Sequence, residues 1–170
     1  MELVVNKAAV LGAGVMGAQI AAHLANANVP VVLFDLPAKE GDKNGIVKKA
    51  LDGLKRLQPS PLVTRDKLQY IDAANYEEHL ELLSGCDLII EAIAERMDWK
   101  NDLYSKIAPF LPSTAVIASN TSGLSINALA DGLPEALRPN FCGIHFFNPP
   151  RYMPLVEIIA TRSTDPATLD

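Results

Sequence analysis

One stretch, Val10 to Asp35, constrains the fold of this 170-residue chain more than any other. It reads VLGAGVMGAQIAAHLANANVPVVLFD. A short apolar run ends at Leu11, glycines follow at 12, 14 and 17, and an apolar-faced helix leads to a second apolar run closed by Asp35. A G-x-G-x-x-G string that leaves a strand, opens a helix and is answered by an acidic residue after the next strand is the setting of a dinucleotide site. Gly12 allows the tight turn, Gly14 leaves the backbone open to a pyrophosphate, and Gly17 lets the helix lie close to the sheet. The helix N-terminus adds unpaired N–H groups and a partial positive charge. Gly12, Ala13, Gly14, Val15, Met16 and Gly17 are therefore the candidate phosphate-binding segment. Asp35 is placed to accept hydrogen bonds from a ribose diol. Leu36, Pro37 and Ala38 bring no Arg for a 2′-phosphate, so NAD is favoured over NADP, with Lys39 tempering that preference. The competing reading is a glycine-rich turn in some other βαβ unit.

The rest of the chain reads as the same architecture continued. Strands are expected at Val4 to Leu11, Val29 to Phe34, Lys67 to Ile71, Cys86 to Ala92, Ala115 to Ser119, Asn140 to Phe147 and Leu155 to Ala160. Helices are expected at Val15 to about Ala27, Ile46 to Leu57, Tyr76 to Leu83, Met97 to Phe110 and Ile126 to Leu133, the last started by Ser125 as N-cap. This alternation predicts an α/β fold with a doubly wound, mostly parallel sheet, all of 1–170 forming one domain. Only Pro149 to Pro154 separates the last two strands, too few residues for a helical crossover, so that pair is expected to be antiparallel.

Composition excludes several classes. With 49% hydrophobic residues the chain has enough apolar material for a real core, and its net charge of −5 is interspersed, which speaks against a nucleic-acid or anionic-membrane surface. Cys86 and Cys142 lie in apolar runs and read as buried thiols of a reducing compartment. No apolar stretch reaches the length of a membrane span. Met1 leads almost at once into the first strand, without room for a signal peptide, so a cytoplasmic location is expected. No His, Cys, Asp and Glu grouping has metal-ligand spacing.

Three further blocks carry chemistry. His145 interrupts GIHFF and Glu157 interrupts LVEII. A carboxylate buried alone is costly, and a His on the neighbouring strand is an obvious partner. Such a pair is a general acid/base device of the kind a nicotinamide dehydrogenase needs; it could equally lock two strands together. Ser119-Asn120-Thr121-Ser122-Gly123 follows the fifth strand, where ligands sit in open α/β sheets. Its hydroxyls and amide could bind a substrate oxygen or merely cap the next helix. Glu91 to Lys100 follows the fourth strand and places Glu95 and Lys100 at the ligand edge, or as exposed charges opening a helix. His23 and His79 are read as surface or packing residues of helices, and Trp99 and Tyr104 as helix-face packing.

Taken together, VLGAGVMGAQIA, EAIAER with its downstream Lys, SNTSGLSI and GIHFFNPPRYMPLVEII resemble the L-3-hydroxyacyl-CoA dehydrogenases of fatty-acid β-oxidation. The resemblance implies a Rossmann domain binding NAD through Gly12, Gly14, Gly17 and Asp35, with Glu95, Lys100 and Asn148 at cofactor-contacting positions. It implies His145 as catalytic acid/base, Glu157 as its carboxylate partner and Ser122 on the 3-oxygen of an acyl-CoA substrate. It also implies a helical C-terminal substrate and dimerisation domain, absent here, making the full-length protein a homodimer. Gly123 stands where many members have a second Ser, and Pro37 to Ala74 does not align well enough to assign CoA contacts. The QPSPL and NPPRYMPLVEII segments look most like the dehydrogenase region of a long bacterial fusion with an enoyl-CoA hydratase. Rival readings are a related 3-hydroxyacid or sugar-acid dehydrogenase, and a non-catalytic NAD-binding module.

Overall fold

A computed structural model describes residues 4–169. The glycine segment sits between strand β1 (Ala8–Leu11) and helix α1 (Val15–Asn26). Then follow β2 (Val31–Asp35), α2 (Gly45–Leu54), β3 (Ile71–Asn75), β4 (Leu88–Glu91), α3 (Met97–Ile107), β5 (Val116–Ser119), α4 (Ile126–Asp131), β6 (Phe141–Phe146) and β7 (Val156–Ala160). The seven strands form one sheet in the order β3-β2-β1-β4-β5-β6-β7. Every pair is parallel except β6 with β7. The chain reverses its winding between β1 and β4, and the crevice at the carboxyl ends of those strands is where such a sheet binds ligands.

Alternation along the strands divides the core into two layers. Ala9, Leu11, Val32, Phe34, Ile89 and Ile117 face the side covered by α3 and α4. Ala8, Val10, Val31, Leu33, Ile90 and Ala118 face the side covered by α1 and α2. Helix α1 buries a face of small residues, Gly17, Ala18, Ala21, Ala22 and Ala25, which is what allows it to lie close on the sheet. Ser125 caps α4, its hydroxyl accepting from the Ala128 N–H at 3.3 Å.

Several expected boundaries move. The first strand begins at Ala8 rather than Val4, because Val4 is exposed and only Ala8 onward pairs with β2 and β4. Lys67 to Ile71 is not a strand: Arg65–Tyr70 is a 3-10 helix and the strand follows it. Asp72-Ala73-Ala74-Asn75 carries little β-branched character, and its parallel register with β2 supplies what propensity does not. The expected helix over Tyr76 to Leu83 is a turn followed by a 3-10 helix at Leu80–Gly85. His79 therefore precedes a helical turn instead of lying within a helix, and its Nδ1 accepts from the Asn75 N–H at 3.2 Å.

Candidate active site

The glycine segment is shaped by contact with the β4 loop. Gly12 has φ +106°, a left-handed conformation, and a Cβ there would lie 2.7 Å from the Ala92 carbonyl oxygen. A Cβ on Gly17 would lie 1.8 Å from the Gly12 carbonyl oxygen. Gly14 opens to free space instead, with no atom within 4 Å of where its Cβ would be. The N-terminus of α1 has no side-chain cap and no acidic residue in its first turn. Unpaired N–H groups of Val15, Met16 and Gly17 thus face an approachable backbone, a cradle that suits a pyrophosphate.

Two clefts flank this segment. The first, about 520 Å³, is lined by Gly12, Asp35, Leu36 and Tyr76 on one side and by Trp99 and Asp102 on the other. Asp35 Oδ2 accepts from the Ala13 N–H at 2.6 Å and Oδ1 from the Leu36 N–H at 2.7 Å. The carboxylate is thereby aligned at the cleft edge by the glycine loop itself. Trp99 departs from the packing role read from its helical spacing. It is 50% exposed, with the Arg96 guanidinium 4.4 Å over its ring, at the mouth of this cleft. Tyr104 does pack, fully buried against Phe141.

The second cleft, about 530 Å³, brings Val15 and Met16 together with Glu95, Ser122, His145 and Asn148. Antiparallel register sets His145 directly opposite Glu157, and Nδ1 lies 2.8 Å from Glu157 Oε2. The His145 side chain is 18% exposed and that of Glu157 47%, so the pair is half-open, not a sealed core lock. With Nδ1 donating to the carboxylate, Nε2 is left as the basic nitrogen of a neutral ring. Around it the loops are braced: Asn120 Oδ1 accepts from the Phe146 N–H at 2.9 Å, Thr121 donates to Glu95 at 2.5 Å, and Gln19 donates to Asn148 Oδ1 at 3.4 Å. Ser122 is exposed at the cleft. Sequences 23 residues or more apart thus meet here through the shared strand ends.

Lys100 corrects an expectation. It is neither at the ligand edge nor an exposed charge, but 0% exposed beneath the loop after β4. Its Nζ lies 2.5 Å from Glu91 Oε1 and 3.4 Å from the Ile93 carbonyl oxygen. Glu91, also 0% exposed, accepts in addition from the Ile93 N–H at 2.7 Å, Ser119 at 2.7 Å and Tyr104 at 3.0 Å. Burial, with the Glu91 charge beside it, holds the Tyr104 phenol well above its usual range, so it remains a donor. Sequence reasoning passed over this cluster, although the signal was present: Glu91 interrupts LIIEA just as Glu157 interrupts LVEII. Among the described residues no group of three or more His, Cys, Asp and Glu side chains could hold a metal ion.

Comparison with known proteins agrees with this geometry. A family model described as the 3-hydroxyacyl-CoA dehydrogenase NAD binding domain matches residues 7–170. A Rickettsia felis protein named as a fatty acid oxidation complex trifunctional enzyme is 47% identical over 160 residues, covering 94% of this chain and 22% of that protein. A Deinococcus radiodurans protein named as a 3-hydroxyacyl-CoA dehydrogenase is 43% identical over 164 residues, covering 95% of this chain and 47% of that protein. The chain thus spans between about a fifth and about half of these relatives' lengths. Among solved structures, the 3-hydroxybutyryl-CoA dehydrogenase of Escherichia coli superposes with a TM-score of 0.81 at 30% identity, over 98% of this chain and 35% of the other.

Proposed function

We propose, since this chain belongs to the family of 3-hydroxyacyl-CoA dehydrogenase NAD-binding domains, that it carries the cofactor site and acid/base pair of an enzyme oxidising an L-3-hydroxyacyl-CoA to the 3-ketoacyl-CoA in fatty-acid oxidation. The observation that carries the reading is the His145–Glu157 pair at the rim of a cleft that the glycine segment also lines. When bound, NAD supplies the hydride acceptor, and Gly12 to Gly17 with Asp35 would hold it. Glu95 and Asn148 line the cleft on the His145 side.

The chain's own residues then manage the proton. Nε2 of His145 takes it from the substrate hydroxyl as the carbinol carbon gives up its hydride, and returns it in the reverse direction. Glu157, on the far side of the ring, fixes the tautomer and stabilises the imidazolium that forms. Ser122 Oγ is placed to hydrogen-bond the 3-oxygen and keep it against His145.

Strand β7 has a single neighbour and leaves Leu155, Ile158 and Ile159 exposed, with Tyr152 and Met153 close by in sequence. An apolar edge of this kind calls for cover. A helical region carrying substrate contacts and a dimer interface, in the longer protein, is the cover this reading supplies.

The test is His145→Gln in the longer protein, assayed with acetoacetyl-CoA and NADH. Turnover should fall by orders of magnitude with NADH affinity nearly unchanged. Equal loss of binding and turnover would make the pair structural. A preference for a free 3-hydroxyacid over its CoA thioester would overturn the substrate class.

A further inference from the structure

The buried cluster under the β4 loop is the largest polar investment in the core that the acid/base reading leaves unused. Glu91, Lys100, Tyr104 and Ser119 are all 0% exposed, and both carboxylate oxygens of Glu91 are fully engaged. A buried ion pair is a poor device for stability alone, because both charges leave water and apolar residues of the same volume serve a core as well or better. What distinguishes this pair is what it holds besides itself. Glu91 accepts the Ile93 N–H, and Lys100 Nζ reaches the Ile93 carbonyl oxygen. Both backbone polar groups of one loop residue are therefore tied to the two members of one ion pair. Ile93, with Ala92, Ala94 and Gly14, lines both clefts and is the wall they share.

We infer that Glu91 and Lys100 are positioning residues: their ion pair clamps the Ile93 backbone and so presets the wall between the two halves of the bound dinucleotide. This rests on the assignment of NAD to the clefts. Neither side chain touches the ligand; they act through Ile93 from behind the loop. Tyr104 and Ser119 hold the carboxylate's second oxygen, which fixes the direction in which the first one points.

Two measurements test it. Amide hydrogen exchange on the unaltered protein without cofactor should show the Ile93 N–H already protected, and NADH should add little. The double variant Glu91→Gln with Lys100→Met removes both charges together. It should unfold cooperatively at nearly the original temperature, yet bind NADH about tenfold or more weakly. Adenosine monophosphate, which occupies one side of the wall, should bind nearly as before. A freely exchanging Ile93 amide in the cofactor-free protein overturns the clamp. So does a folded double variant with unaltered NADH affinity, or one losing both ligands equally, which would mark general loosening. If the double variant does not fold, the exchange measurement decides alone. Failure of the unaltered protein to bind NADH would strike the cofactor assignment instead.

Discussion

Gly17 has the least latitude of any residue at the site, since a Cβ there would sit 1.8 Å from the backbone oxygen of Gly12. Gly17→Ala should therefore push α1 off the β1 turn, abolishing detectable NADH binding and lowering the melting temperature. Retention of both would show that the helix can shift without loss. His23 offers a pH-dependent counterpart. It packs edge-on to Phe146 at 6.2 Å, and burial, with the Arg151 charge as a second cause, lowers its pKa from 6.5. The folded protein thus holds His23 neutral where the unfolded chain would already take a proton. Its contribution to stability is present above about pH 6.5 and is lost as pH falls through the folded value. Thermal melts from pH 7.5 to 5.5 should show a steeper loss for the unaltered protein than for His23→Gln. Parallel slopes would remove His23 from the account.

Among the elements, β6 and β7 do the most with the least sequence. Their antiparallel register places His145 against Glu157, and a one-residue slip would turn one of the two to the opposite face. Their carboxyl-end loops are held by Asn120 on β6 and by Arg151, whose Nη1 donates to the carbonyls of Ser60 and Leu62 at 2.8 and 2.7 Å. Helix α4 is short, six residues, and depends on its start. Ser125→Ala removes the one side-chain cap and should cost about 1 kcal/mol of stability, read from the denaturation midpoint. An unchanged midpoint would mean that packing of Ile126 and Leu129 alone holds α4.

For the molecule as a whole, the two core layers protect both thiols. Burial pushes Cys86 and Cys142 up to about 11, and both side chains are almost inaccessible. Their modification by a thiol reagent at pH 8 should be negligible in the native protein and follow global unfolding in denaturant. Rapid labelling of either one without denaturant would reveal local opening of that layer. The 170-residue chain should bind NADH but turn over acetoacetyl-CoA far more slowly than the longer protein, because added helices supply binding energy and exclude water. Comparable turnover by the two would refute that division of labour.

Local chemistry made much of this legible in advance. The glycine spacing, the terminal Asp35 and the strand–helix alternation are short-range patterns, and they predicted the parallel sheet and the NAD cradle. The six-residue link before β7 forced the antiparallel pair by length alone. The residues that went astray are those whose state depends on distant neighbours. Asp72 to Asn75 forms a strand because β2 supplies a parallel partner, against weak propensity. Lys100 is buried because Glu91, nine residues earlier, and the sheet ends around it neutralise a charge that helix spacing alone places in solvent. Trp99 is outside because its neighbour Lys100 points inward. Sequence by itself determined which chemical groups this protein has and the order of its strands and helices. Only the tertiary structure decided which of those groups lose their water to one another and which stay turned toward the cleft, because burial and pairing are set by long-range contacts that no local pattern encodes.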